Sequence, residues 1–244
     1  MKFCNLAAGV AFLAAFFFVS NVYAAEFSVN PVRVYLDGKV KSGTVVVENY
    51  SDELLTIQAT INSWSQEKGK DDLIIPTGDL VVSPPIFKVQ PKSRQVVRIG
   101  NLKKPDANRE GAYRLFLWEV PPPRKPGESG IGIALHMSLP VFIAPTGVKA
   151  QAELKWKAES VDAKTVRLTF SNSGNAHIQI TGINLNLPDG SSLAANQSMM
   201  VYILPEQSYT WNVKTDKPWN NEPLRVMIKS DTAPPGVETE VKPE

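Results

Sequence analysis

Two arginines stand among apolar residues in segments whose patterns are typical of β-strands. Arg33 is flanked by two valines, and Arg114 by a tyrosine and a leucine. A guanidinium in such a place costs free energy unless an acceptor, most often a carboxylate, neutralises it. Two interpretations stay open for each arginine: an internal salt bridge, for instance to Glu110 or Glu119, or an anion supplied by a partner. A free C-terminal carboxylate suits the guanidinium fork.

Residues that would support catalysis or metal binding are scarce. Nucleophilic catalysis needs a serine or cysteine beside a histidine, but the chain has one cysteine, Cys4, and two histidines, His136 and His177. Both histidines are interpreted as ordinary strand or surface residues, and Asp71-Asp72 as part of a solvated loop. The sequence has no paired-histidine, CxxC or glycine-rich phosphate motif, so we expect no enzyme activity, no metal and no cofactor. The net charge of +2 gives no reason to expect nucleic acid as a partner.

Residues 1–24 are predicted to be a cleavable export signal. Lys2 is followed by an apolar run over 6–19 and by small residues at the cleavage positions, a pattern typical of a signal peptide. The predicted cut follows Ala24, with Ala25 as the neighbouring option. The run is too short for stable membrane insertion. Because the only cysteine lies in this segment, the exported chain is expected to have no disulfide and to depend on a packed core.

The rest of the chain has the pattern of two all-β domains. Roughly 220 residues remain after the signal, enough for two domains of about 100 residues each, and 19 prolines with few helical patterns favour strands and turns. About seven strands at sandwich spacing predict an immunoglobulin-like domain over 25–145. Pro31 divides its first strand, as expected where a strand lies at an edge or switches sheets. Residues 144–150 are interpreted as a linker, 150–232 as a smaller second sandwich, and 233–244 as a disordered tail.

The stretch 131–142 alternates large apolar residues with small or polar ones. The large apolar side chains, which would share one face of a β-strand, are Ile131, Ile133, Leu135, Met137 and Leu139. Pro140 then interrupts the ladder or marks a change of partner. Two interpretations stay open: an ordinary strand whose apolar face fills its own core, or an edge that is offered to another protein.

Several short motifs resemble, in their order and spacing, the periplasmic pilus-assembly chaperones of chaperone–usher systems. The similarity covers essentially the whole exported chain. It is carried by Asn30-Pro-Val-Arg33-Val, Ser83-Pro-Pro-Ile-Phe-Lys-Val-Gln-Pro91, Val97-Arg-Ile99, Arg109-Glu110, Tyr113-Arg114-Leu115, Trp118-Glu-Val-Pro-Pro122, Ile133-Ala-Leu135, and Val141-Phe142 with Pro145. Weaker matches follow in the second half at Phe170-Ser-Asn172, Gly174-Asn175 and Leu204-Pro205.

The resemblance implies two immunoglobulin-like domains set in an L with a cleft between them. It also implies donor-strand complementation, in which the chaperone lends a strand to a pilus or fimbrial subunit and passes that subunit to an outer-membrane usher. The residues that match the donor strand are Ile131, Ile133, Leu135 and Met137. Arg33 matches the cleft arginine that binds the subunit's C-terminal carboxylate. The implied location is the periplasm, and we expect the free chain to cover its apolar edge, for instance by self-association.

Two positions depart from the family pattern. Pro140 stands where relatives have a cleft lysine, and the sequences around Pro140 (Ser-Leu-Pro) and Arg114 (Tyr-Arg-Leu) resemble the archaic branch, in which an arginine on the preceding strand is the anchor. Arg114 is therefore the expected second cation, with Arg33 shared or alternative. Ala144 stands where many relatives have an arginine that pairs with the acid matching Glu110. The interdomain salt-bridge network is therefore expected to be altered or absent.

A second class of function stays open beside the chaperone. A secreted two-domain β-sandwich could act as an adhesin or carbohydrate-binding module whose aromatic side chains stack on sugars, although sandwich tryptophans more often serve packing. The candidate stacking residues are Trp64, Trp118, Trp156, Trp211 and Trp219. An adhesin would need an exposed aromatic platform and no basic cleft, so the burial of these tryptophans distinguishes the two functions.

Overall fold

The computed structural model of the chain describes four stretches. These stretches are 27–67, 72–122, 133–230 and 238–243. The predicted export signal, Ile131 of the predicted donor strand and 233–237 of the predicted tail lie outside them. The described residues form seventeen β-strands and no helix, which confirms the all-β prediction. Among these residues, no helix is long and apolar enough to cross a membrane.

The first domain is a sandwich of two sheets. Its strands are β1 (Phe27–Asn30), β2 (Val34–Leu36), β3 (Ser42–Asn49), β4 (Leu55–Ser65), β5 (Leu73–Pro76), β6 (Leu80–Ser83), β7 (Ile86–Val89), β8 (Arg94–Asn101), β9 (Gly111–Glu119) and β10 (His136–Ile143). One sheet has the order β1-β3-β8-β6, and the other has the order β2-β10-β9-β4-β5, with β7 also pairing with β4. Alternate side chains of both sheets meet in one core, in which Ile57, Leu115 and Leu117 are fully buried.

The predicted break at Pro31 moves the chain from one sheet to the other. β1 pairs antiparallel with β3, whereas β2 pairs with β10 and runs parallel to it. Because proline lacks a backbone N–H, it cannot continue a ladder and is suited to such a crossing. Arg33 follows in this crossing and directly precedes β2. The sequence predicted an edge strand or a switch between sheets, and both are found here, because β1 and β2 lie at the edges of different sheets.

β10 is shorter than the predicted strand over 131–142. It begins at His136 because β9, its antiparallel neighbour, ends at Glu119 and is followed by prolines. The last contacts of this ladder join Glu119 to Leu135: the Glu119 backbone N–H donates to the Leu135 carbonyl, and the Leu135 N–H donates to the Glu119 carboxylate, both at 2.9 Å. Ile133 therefore precedes the strand and has no place in its ladder.

The apolar row of the predicted strand over 131–142 is divided between the domain core and the surface. Leu139 is buried, and Leu135 and Met137 are partly buried and pack against the core of the first domain. These three residues therefore fill their own core, as the first of the two interpretations states. Ile133 is different, because its side chain is 82% exposed. One exposed isoleucine is compatible with either interpretation, because single apolar residues are common on protein surfaces.

The second domain is built from seven strands around a separate core. Its strands are β11 (Leu154–Asp162), β12 (Thr165–Asn172), β13 (Ile178–Asn186), β14 (Ser192–Ile203), β15 (Ser208–Lys214), β16 (Arg225–Ser230) and β17 (Glu238–Pro243). They follow the order β14-β13-β16-β17-β11-β12-β15. Leu168, Phe170 and Ile180 are fully buried in its core. Together with the first domain, this gives the predicted pair of immunoglobulin-like sandwiches.

β17 contradicts the prediction of a disordered tail over 238–243. Residues 238–243 form a strand that pairs antiparallel with β16 and parallel with β11. Strand pairing uses backbone groups, so a polar, proline-containing segment can complete a sheet wherever two neighbouring strands leave their edges open. Local composition carries no information about those distant edges, and for that reason the prediction was wrong.

Candidate functional site

One edge of β10 has no strand beside it along part of its length. β9 pairs with β10 over the whole of 136–143, but β2 pairs with it only over 141–143. In the stretches that the structure describes, no strand lies against the outer edge of 136–140. We call these five residues the free edge. Pro140 is the last of them: the ladder with β9 continues through this proline instead of being interrupted or exchanged, and β2 is added as a second partner directly after it. Unpaired backbone groups on such an edge are a template for a strand from another protein.

The two predicted anchor residues meet at the end of the free edge. Arg114 on β9 is the cross-strand partner of Pro140. Arg33 lies on the other side, just before the residue at which β2 begins to pair with β10. Both guanidinium carbons lie 5.5 Å from the centroid of the Tyr202 ring, which the second domain contributes through β14. Because both carbons lie 5.5 Å from the same ring centroid, the two guanidinium carbons are at most 2 × 5.5 = 11 Å apart, at the junction of the two domains.

The Arg114 guanidinium is largely buried and stacked. Its central carbon lies 3.7 Å from the centroid of the Trp64 ring, and 15% of the side chain is exposed. Burial lowers the pKa of Arg114, while Asp72 and Tyr202 raise it in part, and an arginine remains charged under such shifts. Its acidic partner is Asp72, whose Oδ2 lies 3.7 Å from Nη2. The sequence had assigned this aspartate to a solvated loop and had suggested Glu110 or Glu119 instead.

Arg33 is oriented by polar groups from both domains. Its Nη1 donates to the Tyr35 hydroxyl at 3.1 Å, and its Nη2 donates to Oε1 of Gln179 on β13 at 2.7 Å. Gln179 is buried, so its amide gives this arginine a fixed neighbour in the second domain. Both of these acceptors are neutral groups.

Glu110 joins the two domains through a buried contact with His177. Its Oε2 accepts a hydrogen bond from the His177 backbone N–H at 2.8 Å and lies 2.6 Å from Nδ1 of the ring. The ring is stacked on Phe142, with centroids 3.5 Å apart and an interplanar angle of 7°. The interdomain network is thus altered, as expected from Ala144: the acid has a histidine partner. The prediction that His177 is an ordinary surface or strand residue was wrong, because the residue is buried at this contact and precedes β13.

A small aromatic cluster closes the junction around the anchors. Trp64, Phe142 and Leu204 are buried together, and Tyr202 packs against them. Gln66 links the domains beside them: its Nε2 donates to the Tyr202 carbonyl, and its Oε1 accepts from the Leu204 N–H, both at 2.9 Å. We call Trp64, Phe142, Leu204 and Tyr202 the junction cluster.

Sequence reasoning missed the role of Trp64 at the junction, although a signal was present. In β4 the core-facing residues occupy odd positions, such as Ile57 and Ile61, whereas Trp64 has the other phase. Phe142 likewise has the opposite phase to Val141, which faces the core of the first domain. A large aromatic residue on the outer face of a sheet, close to a domain boundary, indicates that another domain covers that face.

Three of the five tryptophans are unavailable as a sugar-stacking platform. The buried ones are Trp64, Trp156 and Trp219. Trp118 is partly exposed and packs beside His136, with ring centroids 4.0 Å apart. Most of the tryptophans that the adhesin alternative needs are thus used for packing, which favours the chaperone.

Comparison with known proteins agrees with this architecture. The Escherichia coli chaperone protein PapD is 28% identical over 148 residues, which cover 59% of this chain and 59% of PapD. The Klebsiella pneumoniae chaperone protein MrkB is 25% identical over 207 residues, covering 82% and 85%. The chain thus spans about three-fifths of the length of PapD. Among solved structures, the Acinetobacter baumannii CsuC–CsuE complex, a chaperone with a tip adhesion subunit of archaic Csu pili, matches with a TM-score of 0.69.

That structural match has 17% sequence identity and covers 90% of this chain and all of the other, so it supports the two-domain fold. The family described as pili and flagellar-assembly chaperone, PapD N-terminal domain, matches residues 26–149, which include both arginines and the whole of β10. The members of this family are assembly chaperones and not enzymes. The chain described here belongs to the family of pilus-assembly chaperones.

Proposed function

We propose that this protein is a periplasmic chaperone that binds a pilus or fimbrial subunit by donor-strand complementation and delivers it to an outer-membrane usher. The observation that carries the proposal is the free edge of β10, which ends between two cations. The chaperone would complete the subunit's sheet with its own strand and release it to the growing fibre without a covalent reaction or a cofactor.

The direction of β2 supports a particular orientation of the bound strand. β2 runs parallel to β10 and occupies its outer edge only from Val141 onward. A partner strand that extends the line of β2 along the free edge in the same direction would reach Arg33 with its C-terminal end. Its terminal carboxylate would then lie between Arg33 and Arg114, where the guanidinium forks offer charge-assisted hydrogen bonds. An antiparallel strand would bring an amino terminus to the same cations, which is unfavourable.

The predicted donor residues contribute unequally to this proposal. Ile133 is the most exposed of those that the structure describes, so it is the best candidate to enter a groove in the subunit. Leu135 and Met137 are partly buried against the chaperone's own core and would present only their outer surfaces. Ile131 belongs to the same alternation in the sequence and would extend the apolar row.

Co-expression in a periplasm with candidate small secreted subunits tests the proposal. The tagged chaperone is purified and the proteins that accompany it are identified. We expect a one-to-one complex with a subunit that is insoluble alone, and loss of that complex on Ile133→Asp. Ile86→Asp is the matched control, because Ile86 is also an exposed isoleucine, at 62%, but lies on β7. Normal capture by Ile133→Asp, or equal loss in both variants, would contradict the donor-strand role.

The anchor assignment is tested separately with the two arginines. Arg114→Ala and Arg33→Ala should each weaken subunit capture, because each removes one charged donor from the carboxylate site. Lys149→Ala serves as the control, since this exposed linker lysine also removes one positive charge. If all three variants bind the subunit equally well, the carboxylate does not lie between the arginines.

A further inference from the structure

In the free protein, Asp72 pairs with Arg114, the cation proposed to anchor a subunit. Its Oδ2 lies 3.7 Å from Nη2 of Arg114, while its Oδ1 accepts a hydrogen bond from Gln66 Nε2 at 3.1 Å. The same Gln66 nitrogen donates to the Tyr202 carbonyl of the second domain. An acid that the sequence places in a charged loop is therefore held at the domain junction, beside the residue proposed to bind the subunit's carboxylate.

The contact between Asp72 and Arg114 is weaker than the contact that a partner could make. A well-formed arginine–carboxylate pair has two parallel hydrogen bonds of about 2.7–2.9 Å. This pair has a single contact, at 3.7 Å between Nη2 and Oδ2, which is too long for a hydrogen bond. Asp72 is 43% exposed, so water competes for its oxygens, while Arg114 is only 15% exposed. Trp64 covers one face of the guanidinium, and this stacking leaves the N–H groups at its rim available to an acceptor that lies in its plane.

We propose that Asp72 is an internal competitor for Arg114 and thereby determines how tightly the anchor holds a subunit's terminal carboxylate. This inference rests on the proposed function. A buried guanidinium is costly without a negative neighbour, and Asp72 supplies that neighbour while the cleft is empty. When a terminal carboxylate arrives in bidentate geometry, Asp72 turns towards solvent, because two carboxylates at one guanidinium repel each other. Subunit binding is therefore an exchange of one carboxylate for another.

This exchange has a consequence for specificity. A neutral C-terminal group, such as an amide, cannot replace the charge that Asp72 supplies, so it gains little by entering the site. A carboxylate that binds through one oxygen only offers no more than Asp72 already does. Only a partner that brings both charge and the planar, two-oxygen geometry displaces the internal acid. Asp72 thus selects for a properly seated chain terminus.

The inference is tested with acetate as the probe on the purified, exported chain. Arginine side chains labelled with nitrogen-15 give one Nε–H signal each, and the Arg114 signal is the one missing from Arg114→Lys. Acetate is titrated at low ionic strength, and its dissociation constant is obtained from the shift of that signal. Asp72→Asn keeps the shape of the side chain and an oxygen for Gln66, and removes the charge.

We expect Asp72→Asn to bind acetate about two- to fivefold more tightly at Arg114, the range that corresponds to an exposed ion pair. Asp52→Asn is the control: it also removes one negative charge, but Asp52 pairs with Lys92 on the surface, at the end of β4 opposite to Trp64. Unchanged or weaker binding by Asp72→Asn, or equal tightening in both variants, would overturn the inference. Its failure is separable from that of the proposed function, which depends on subunit capture and not on acetate.

Discussion

Glu110→Gln removes one negative charge from the buried joint between the domains and changes little else. The Glu110 side chain is 5% exposed and that of His177 is 4% exposed. The carboxylate accepts from the His177 backbone N–H and contacts Nδ1 of its ring. Glutamine has nearly the same volume and keeps an oxygen acceptor, so the substitution isolates the contribution of the charge.

Two hydrogen bonds lose their charged acceptor in this variant. A hydrogen bond to a charged group contributes about 1.5–3 kcal/mol to stability, and a neutral one about 0.5–1.5 kcal/mol. The difference is about 1 kcal/mol for each bond, which predicts a loss of about 2 kcal/mol in the free energy of unfolding. For a chain of this length, such a loss corresponds to a fall of about 4–8 °C in Tm.

Glu206→Gln is the matched control, because it makes the same change at an interdomain ion pair on the surface. Glu206 Oε2 lies 2.9 Å from Arg109 Nη1, but its side chain is 70% exposed, and an exposed pair contributes about 0.2–1 kcal/mol. Unfolding in urea, followed by tryptophan fluorescence, and calorimetry measure both variants. Equal losses in the two variants, or a loss below about 0.5 kcal/mol for Glu110→Gln, would refute the reasoning.

Two further predictions concern the core of the first domain and the last strand of the second. Burial raises the pKa of Tyr113, and its hydrogen bond to Asp79 raises it further; a raised folded-state pKa means that stability falls as pH rises above about 10. The urea midpoint should therefore fall less steeply with alkaline pH in Tyr113→Phe, and equal slopes would contradict this. Deleting 238–244 should destabilise the second domain by about 0.5–1.5 kcal/mol for each backbone hydrogen bond lost. It should also promote self-association through the uncovered edges of β16 and β11. Light scattering measures the self-association, and a truncated chain that remains monomeric would contradict this prediction.

The strands and the anchors could be predicted from the sequence because their signals are local. Period-two alternation located β9 and β10, and Pro31 marked the crossing between sheets. An arginine among apolar strand residues is costly wherever it lies, so Arg33 and Arg114 could be singled out as candidate anchors before the structure placed both beside Tyr202. Short strands without alternation, such as β5, gave no comparable signal.

The partners of the anchors could not be predicted, because they depend on how two domains pack together. Tyr202 and Gln179 come from the second domain, and the positions of their strands relative to Arg33 are not encoded in any local pattern. Asp72 was misjudged for the same reason: an acid in a charged loop is usually solvated, and only the docking of Gln66 at the junction brings it to Arg114.

The junction cluster makes anchoring and domain packing interdependent. Tyr202 lies 5.8 Å from the His177 ring and 5.5 Å from the guanidinium carbons of both arginines. A change that loosens the Glu110–His177 contact is therefore expected to loosen one wall of the proposed carboxylate site as well. Asp72 is connected to the same domain junction, because Gln66 Nε2 donates both to its Oδ1 and to the Tyr202 carbonyl. It follows from the proposed function that an anchor built from both domains would bind a subunit tightly only while the domains are docked, so the rigidity of the junction would be part of the binding site.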